Sequence, residues 1–258
     1  MIDPRAAAAR FYDLDREPLA DLPFYVSRIP NASARVLELG CGTGRITLPL
    51  AEHCGFLKGI ELSEAMLEIC REKLLAAPDL AGNVSVELGD ITNFDLEATF
   101  DLIIAPYRVL QNLETDEEVA GLFRCVRTHL AAGGTCILNV FRPRYDNAEA
   151  LIDAWSQPVE GLDWEEVTDT QTVACYYRRG KVNVQPLVIY PDLIYRVREG
   201  AKLVEEVVFP LAMRCYVPGD FANLFAKHGF DIVESWGGYA GETYGDGPEL
   251  VIQARPAV

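Results

Sequence analysis

Two carboxylates bracket a turn of three glycines: Glu38, then Gly40, Gly42 and Gly44, then Glu61. Val36-Leu37-Glu38-Leu39 reads as a buried parallel strand, and an amphipathic run begins at once with Arg45, Ile46 and Leu48. Strand, glycine turn and helix in succession make a cradle for a nucleotide-type ligand, because glycines let backbone N–H groups approach it with no Cβ in the way. A nicotinamide fingerprint needs G-x-G-x-x-G, with the third glycine permitting close helix–strand packing; here that position is Arg45 and the turn reads G-x-G-x-G. Glu38, just ahead of the turn, suits a charge acting through the loop on an ammonium group. Glu61, about twenty residues beyond the first glycine and at a strand end, is placed for two hydrogen bonds from a ribose diol. Ser63 already serves to cap the helix that follows, so Glu61 is not needed for that role.

Tyr107, Arg108 and Gln111 offer further polar side chains just past a later apolar run. Arg108 can pair an anionic ligand or, as a surface residue, the neighbouring Glu114 or Asp116. His53, His129 and His228 each sit near a helix end, where contact with the helix dipole accounts for them; no two share metal-ligand spacing, and no metal is expected.

These residues need a scaffold. Residues 3–30 read as a helical approach, with Leu19, Leu22, Tyr25, Val26 and Ile29 at helical spacing. The helix after the glycine turn is expected to run to about His53. Strands follow at 56–60, 84–88, 101–105 and 135–141, and Ser63 caps a helix carrying Met66, Ile69, Cys70 and Leu74 on one face. Thr115 with Glu118 forms a capping box for another helix, with Gly133-Gly134 as its stop. This alternation predicts a doubly wound, mostly parallel α/β sheet. Between residues 172 and 216, aromatic and β-branched runs are broken by Gly180-Lys181, Pro191-Asp192 and Glu199-Gly200, which predicts antiparallel hairpins. A helix at 218–228 and strands at 230–236 and 250–254 close the chain. One domain is expected: a helical lid at 1–30, a cofactor-binding core at 31–141, an antiparallel β insertion at 142–216, and completion of the core at 217–258.

The chain has 258 residues, half of them hydrophobic, and a formal charge of −16. That charge opposes attraction to nucleic acid or anionic lipid and suits a neutral or cationic small molecule. No apolar run approaches the roughly 20 residues of a membrane span, and the N-terminus lacks the apolar core of a secretory signal. Seven scattered cysteines without a CxxC pair are cytosolic usage, mostly buried thiols, so a cytoplasmic location is expected. Nothing in these residues sets an oligomeric state.

The sequence resembles class I S-adenosylmethionine-dependent methyltransferases. ELGCGTG (38–44) is similar to their first motif, Glu61 to their ribose-binding acid, and Gly89-Asp90-Ile91 to the motif beside the adenine. FDLIIAPYRVLQNL (100–113) and HLAAGGTCILNV (129–140) resemble the two that follow. The resemblance implies a Rossmann-like sheet of seven strands whose last is antiparallel and tucked between its neighbours. It implies S-adenosyl-L-methionine as cofactor, its methionine part along Gly40, Cys41, Gly42 and Gly44, its ribose on Glu61 and its adenine between Leu62 and Asp90-Ile91. Arg45, Met66 and Ala105 would complete that seat. Tyr12-Asp13 and Tyr25 match a pattern in small-molecule members in which the N-terminal segment folds over the cofactor, making Tyr12 the candidate to close on its carboxylate end.

Methyl transfer at a sulfonium requires alignment, exclusion of water and an unprotonated nucleophile; positioning alone supplies on the order of 7–11 kcal/mol of such a barrier. No general base is assigned, and Tyr107, Arg108 and Gln111 are the positioning candidates. Ala105-Pro106-Tyr107-Arg108 lacks the Asn or Asp that holds planar amines in some nucleic-acid and protein methyltransferases. Tyr25, Tyr177, Tyr239 and Tyr244 are candidates to line the substrate, where aromatic faces attract an ammonium group. The expected activity is transfer of a methyl group to an N or O atom of a small molecule. The alternatives are a protein or RNA methyltransferase and a non-catalytic cofactor-binding regulator on the same fold.

Overall fold

The computed structural model describes residues 3, 5–15, 20–80, 82–145 and 147–257. The N-terminal approach consists of a 3₁₀ helix, Ala9–Leu14, and a short α1, Leu22–Ser27. Leu19, expected on the same helical stripe, lies outside the described residues.

The core alternates as expected: β1 (Arg35–Leu39), α2 (Thr47–Ala51), β2 (Phe56–Glu61), α3 (Glu64–Leu75), β3 (Val84–Leu88), β4 (Phe100–Ala105), α4 (Asp116–His129) and β5 (Leu130–Phe141). After an inserted region come α6 (Pro218–Lys227), β13 (Phe230–Trp236) and β14 (Glu249–Pro256); the insertion holds α5 (Ala148–Trp155) and β6 to β12. The seven core strands form one sheet in the order β13-β14-β5-β4-β1-β2-β3, with β14 antiparallel between β13 and β5. Side chains on successive strand residues point to opposite faces. Leu37, Leu39, Ile103 and Leu138 therefore pack with Phe123, Val126, Phe221 and Phe225 of α4 and α6. Val36, Leu102, Ile104 and Ile137 pack with Phe24, Tyr25, Ile46 and Leu50 on the other face. Both faces are covered along the inner strands, which is why β1, β4 and β5 read as largely apolar runs, whereas the edge strands β3 and β13 are half-buried and exposed, respectively.

Two helix boundaries differ from expectation. α2 begins at Thr47, so the turn extends past Arg45, and it ends at Ala51. α4 ends at His129, four residues before Gly133, because Leu130 already pairs with Phe100 in the sheet. The two glycines instead lie within an irregular β5: Gly133 has φ +81°, and a Cβ on Gly134 would come within 2.9 Å of the Phe100 carbonyl oxygen. The capping box is present, Thr115 accepting from the Glu118 N–H and Glu118 from the Thr115 N–H.

The insertion is more than a set of hairpins. It opens with α5, capped by Asn147, and with β6 (Glu160–Val167), whose polar GLDWEEV pattern hides a strand. β7 (Thr172–Arg178), β10 (Asp192–Glu199) and β11 (Lys202–Pro210) join it in a sheet ordered β11-β10-β7-β6. The run 182–190 is split at Gln185-Pro186 into β8 (Val182–Val184) and β9 (Leu187–Ile189), which pair with β12 (Met213–Arg214) in a separate small sheet. Val173, Cys175, Tyr195, Val197 and Phe209 of the larger sheet pack on Ala8 and Phe11. The 3₁₀ helix is thus held between the insertion and the core. All seven cysteines are free and buried, and no described helix is long and apolar enough to cross a membrane.

Candidate functional site

At the carboxyl end of β1, Gly40, Gly42 and Gly44 adopt φ of +73°, +55° and +85°, which residues with a Cβ avoid. Space is also short: a Cβ would lie 2.6 Å from Val109 at Gly40 and 2.5 Å from Leu48 at Gly44. Four of the turn's own donors are committed to the fold. Gly40 and Cys41 N–H donate to the Ile60 carbonyl at 2.8 and 3.0 Å, Gly42 N–H to Glu61 Oε2 at 3.0 Å, and Gly44 N–H to the Cys41 carbonyl at 2.9 Å. A phosphate nest needs such N–H groups free; this turn has spent them, in keeping with its departure from the nicotinamide pattern. At Gly42 an added Cβ would meet only Met66 Cε, at 3.5 Å, so the backbone there remains approachable.

Glu61 is 2% exposed and fixed from both sides, Oε2 by Gly42 N–H and Oε1 by Ser63 N–H at 2.9 Å. Each oxygen keeps a second lone pair for a ligand hydroxyl. Beside it, Leu62 is 58% and Leu88 53% exposed, apolar side chains left bare at the ends of adjacent strands, where a flat base can pack. Ile91 is half-buried, and Asp90 closes its own turn by accepting from Thr92 N–H and Oγ1–H at 2.8 and 2.7 Å. Met66 and Ala105 are buried, and Cys41 turns its thiol toward Gly59, leaving only backbone for a ligand. Carboxylate, approachable turn and bare apolar surface fit an amino-acid nucleoside such as S-adenosylmethionine. Asp3 and Arg5 join the site from the N-terminal segment. Asp3 accepts from Ser63 Oγ–H at 2.8 Å and Ala65 N–H at 3.1 Å, and Arg5 stands 3.6 Å from Glu61. These contacts span about sixty residues of chain, and no local pattern announces them.

Glu38 points to the α1–α2 side of the sheet, 2% exposed, accepting from Thr47 Oγ1–H at 2.7 Å. Burial pushes its carboxyl up to about 8, so near neutral pH it offers a hydrogen-bonding group more than the charge expected of it. The folded state keeps this proton up to about pH 8, whereas the group ordinarily loses it near 4.5. Folded protein then binds more protons across that window, and stability falls as pH rises through it. Glu38→Gln should therefore melt with the wild type at pH 5 and above it at pH 8, by about a few kcal/mol. Scanning calorimetry at the two pH values checks this; a constant gap between the proteins would refute it.

Beyond the turn, Arg45 donates to both oxygens of the fully buried Asp21 at 2.7 and 2.8 Å, and its guanidinium lies 4.9 Å from the centre of the Tyr107 ring. Tyr12 meets Tyr107 edge-on at 6.0 Å. Tyr12, Asp13, Asp15, Arg45 and Tyr107 line a cavity of about 110 Å³. Asp13 is anchored by Thr43 Oγ1–H and Lys73, both at 2.7 Å, which seats the 3₁₀ helix on the glycine turn and α3. Asp163 of β6 is the extra residue of a β-bulge, where pairing with β7 shifts between Leu162 and Trp164. Its side chain is exposed on β6, and its carboxyl pKa is raised first by partial desolvation and then by Asp15, while Arg108 opposes the rise. Burial and then Asp15 also raise that of the Tyr107 phenol. A larger cavity of about 630 Å³ lies between the 3₁₀ helix and the insertion sheet, lined by Phe11, Leu14, Val173 and Val197 among others. It stands away from the strand ends and from the glycine turn.

Several candidate residues have partners within the fold. Arg108 pairs with Glu249, with Nε donating at 3.0 Å, and not with Glu114 or Asp116, which are held by Tyr190 and by Arg214. Gln111 is fully buried and spent: its amide donates to the Arg214 carbonyl at 2.9 Å and accepts from Phe141 N–H at 2.8 Å. Tyr25 is fully buried in the core beside Phe24 and Tyr239, and Tyr244 donates to the Pro218 carbonyl at 2.8 Å, fastening α6. Tyr177 lies in the insertion sheet against Gly161. His129 ties the loop before β4 to α4 by accepting from Leu96 N–H at 3.0 Å.

Residues 36–134 match the methyltransferase domain family. A dTDP-3-amino-3,4,6-trideoxy-alpha-D-glucopyranose N,N-dimethyltransferase of Streptomyces venezuelae is 31% identical over 49% of each chain. A dTDP-4-amino-2,3,4,6-tetradeoxy-D-glucose N,N-dimethyltransferase of Saccharopolyspora spinosa is 30% identical over 43% of this chain and 42% of its own. The chain thus spans about half the length of the curated relatives it matches. Among solved structures, the CcbJ methyltransferase from Streptomyces caelestis superposes with a TM-score of 0.80 at 24% identity, covering 99% of this chain and 98% of that one. The amino pentose methyltransferase CalS10 from Micromonospora echinaspora, solved with S-adenosylmethionine bound, gives 0.71 at 22% identity over 96% and 95%.

Proposed function

We propose, for a chain with the class I S-adenosylmethionine-dependent methyltransferase fold and a methyltransferase domain at residues 36–134, that it methylates an amine nitrogen of a small molecule. Glu61, the Gly40–Gly44 turn, Leu62 and Ile91 would hold the cofactor, with Tyr12 closing over its amino-acid end. When bound, S-adenosylmethionine supplies a methyl group made electrophilic by its sulfonium sulfur.

The observation that carries the choice of an amine is the charge balance around Tyr107. Both arginines against its ring are already matched by carboxylates, Arg45 by Asp21 and Arg108 by Glu249. Among the described residues, neither arginine on that ring is left over to bind an anionic acceptor. Asp163 faces Tyr107 from the insertion, and its carboxylate favours a positive charge there. An ammonium group must lose its proton before its lone pair can attack; Asp163, whose raised pKa makes it a better base than an ordinary aspartate, is the group to take it at a carboxylate oxygen. The Tyr12 and Tyr107 rings wall the cavity and exclude water. The amino-sugar acceptors named for the two curated relatives are amines of this kind. With a charge of −16, RNA is disfavoured.

The test is incubation with S-adenosylmethionine and a panel of amino sugars, other small primary amines, phenols, carboxylic acids and peptides, read by mass spectrometry. Gain of a methyl on an amine is expected, with Asp163→Asn slower by at least about tenfold in kcat/KM. Methylation confined to phenols or carboxylates, or cofactor binding with no methylated product, would overturn the proposal.

A further inference from the structure

Tyr107 and Arg108 share a conformation that neither side chain favours. Both lie in the left-handed region, at φ +57° and +68°, with no glycine between them. Consecutive left-handed residues carrying a Cβ persist only where their surroundings over-determine them. Here the surroundings are a buried tripod from two strands far away in the chain. Asn139 of β5 is fully buried, and its Oδ1 accepts from the Arg108 backbone N–H at 3.2 Å. Its Nδ2 donates to Glu249 Oε2 at 2.9 Å. Glu249, at the start of β14 and 1% exposed, uses its other oxygen to accept from Arg108 Nε and Nη2. One amide and one carboxylate thus grip Arg108 by backbone and side chain together. The turn they hold sets Tyr107 between Tyr12 and Arg45, and lays Val109 against Gly40.

We propose that Asn139 and Glu249 are positioning residues for methyl transfer, acting through Arg108 to hold Tyr107 as the wall of the acceptor cavity. This rests on the acceptor reading of that cavity given above. The pair touches neither Glu61 nor Leu62 and reaches the cofactor seat only at second hand, through Val109 on Gly40 and Tyr107 on Tyr12, so its loss should weigh more on acceptor alignment than on cofactor affinity. A misplacement of about an ångström is enough to cost a hundredfold in rate.

The experiment compares Asn139→Ala, Glu249→Gln and the charge-balanced double variant Arg108→Gln/Glu249→Gln with the wild type. Each is examined by crystal structure, by calorimetric titration with S-adenosylhomocysteine, and by kinetics on whichever amine the wild type methylates. In Asn139→Ala and Glu249→Gln, Tyr107 should leave the left-handed region and Arg45. kcat should fall by roughly tenfold to a hundredfold, while the Kd for S-adenosylhomocysteine changes less than about threefold. The double variant leaves no unpaired buried charge, so it keeps the comparison open if Glu249→Gln fails to fold. An unmoved Tyr107, or a moved Tyr107 with undiminished kcat, overturns the inference. If no amine is turned over, the acceptor reading fails, and the crystal structures still decide whether Asn139 and Glu249 hold the turn.

Discussion

Glu61→Ala should lower the affinity for S-adenosylhomocysteine by at least about a hundredfold, the largest effect expected of any single substitution at the cofactor seat. Hydrogen bonds to a charged group are worth roughly 1.5–3 kcal/mol each, and the carboxylate has lone pairs for two ribose hydroxyls. The same side chain clamps Gly42 N–H and Ser63 N–H, joining the glycine turn to the start of α3. Alanine therefore loses the ligand contacts and loosens both walls. Glu61→Gln keeps one strong acceptor and should fall between the two. Arg5 stands 3.6 Å from this carboxylate, so the loss should be larger in an Arg5→Ala background, where Glu61 is free of the competing ion pair. Isothermal titration calorimetry measures all of these; unchanged affinity in Glu61→Ala would remove the basis for placing the ribose there.

The second large effect is on stability. Arg45→Met leaves the carboxylate of Asp21, which has no solvent exposure, without its bidentate partner. Breaking a buried ion pair from one side costs roughly 3–5 kcal/mol, because the remaining charge is uncompensated. In a chain of this size that corresponds to a fall in melting temperature of about 10 °C. Adding Asp21→Asn removes the stranded charge, so the double variant should recover much of the loss. This non-additivity is the signature of direct coupling. Thermal melts of the four proteins in the cycle measure it, and simple additivity would show that the pair is not coupled. The same substitution frees one side of the Tyr107 ring, so acceptor chemistry should suffer even where the protein still folds.

Strands at residues 56–60 and 101–105 were visible as mostly apolar runs because they lie inside the sheet with both faces covered, whereas 84–88 showed as the apolar–polar alternation of a half-buried edge strand. The three glycines were visible because glycine takes the positive φ values there without strain. The capping box and the Ser63 cap involve partners three residues apart, which is why they too were legible. The insertion was less so: β6 is largely solvated and carries few apolar residues, and the bulge at Asp163 follows from pairing with β7. No tyrosine count separates Tyr107, which faces a cavity, from Tyr25, which is fully buried in the core.

Local chemistry thus set the sheet order's raw material, the shape of the glycine turn, the acid at the end of β2 and the absence of a phosphate-binding pattern. These depend on backbone sterics, period-two burial and neighbours within a few residues, all carried by short stretches of chain. Folding decided the rest. Arg108 meets Glu249 across 141 residues, Gln111 reaches the Arg214 carbonyl across 103, and Asp3 caps a helix that begins some sixty residues later. Whether an arginine binds an anion or stabilises a buried acid is settled by which carboxylate the fold brings to it, and that pairing is a property of three-dimensional proximity that no residue declares by itself.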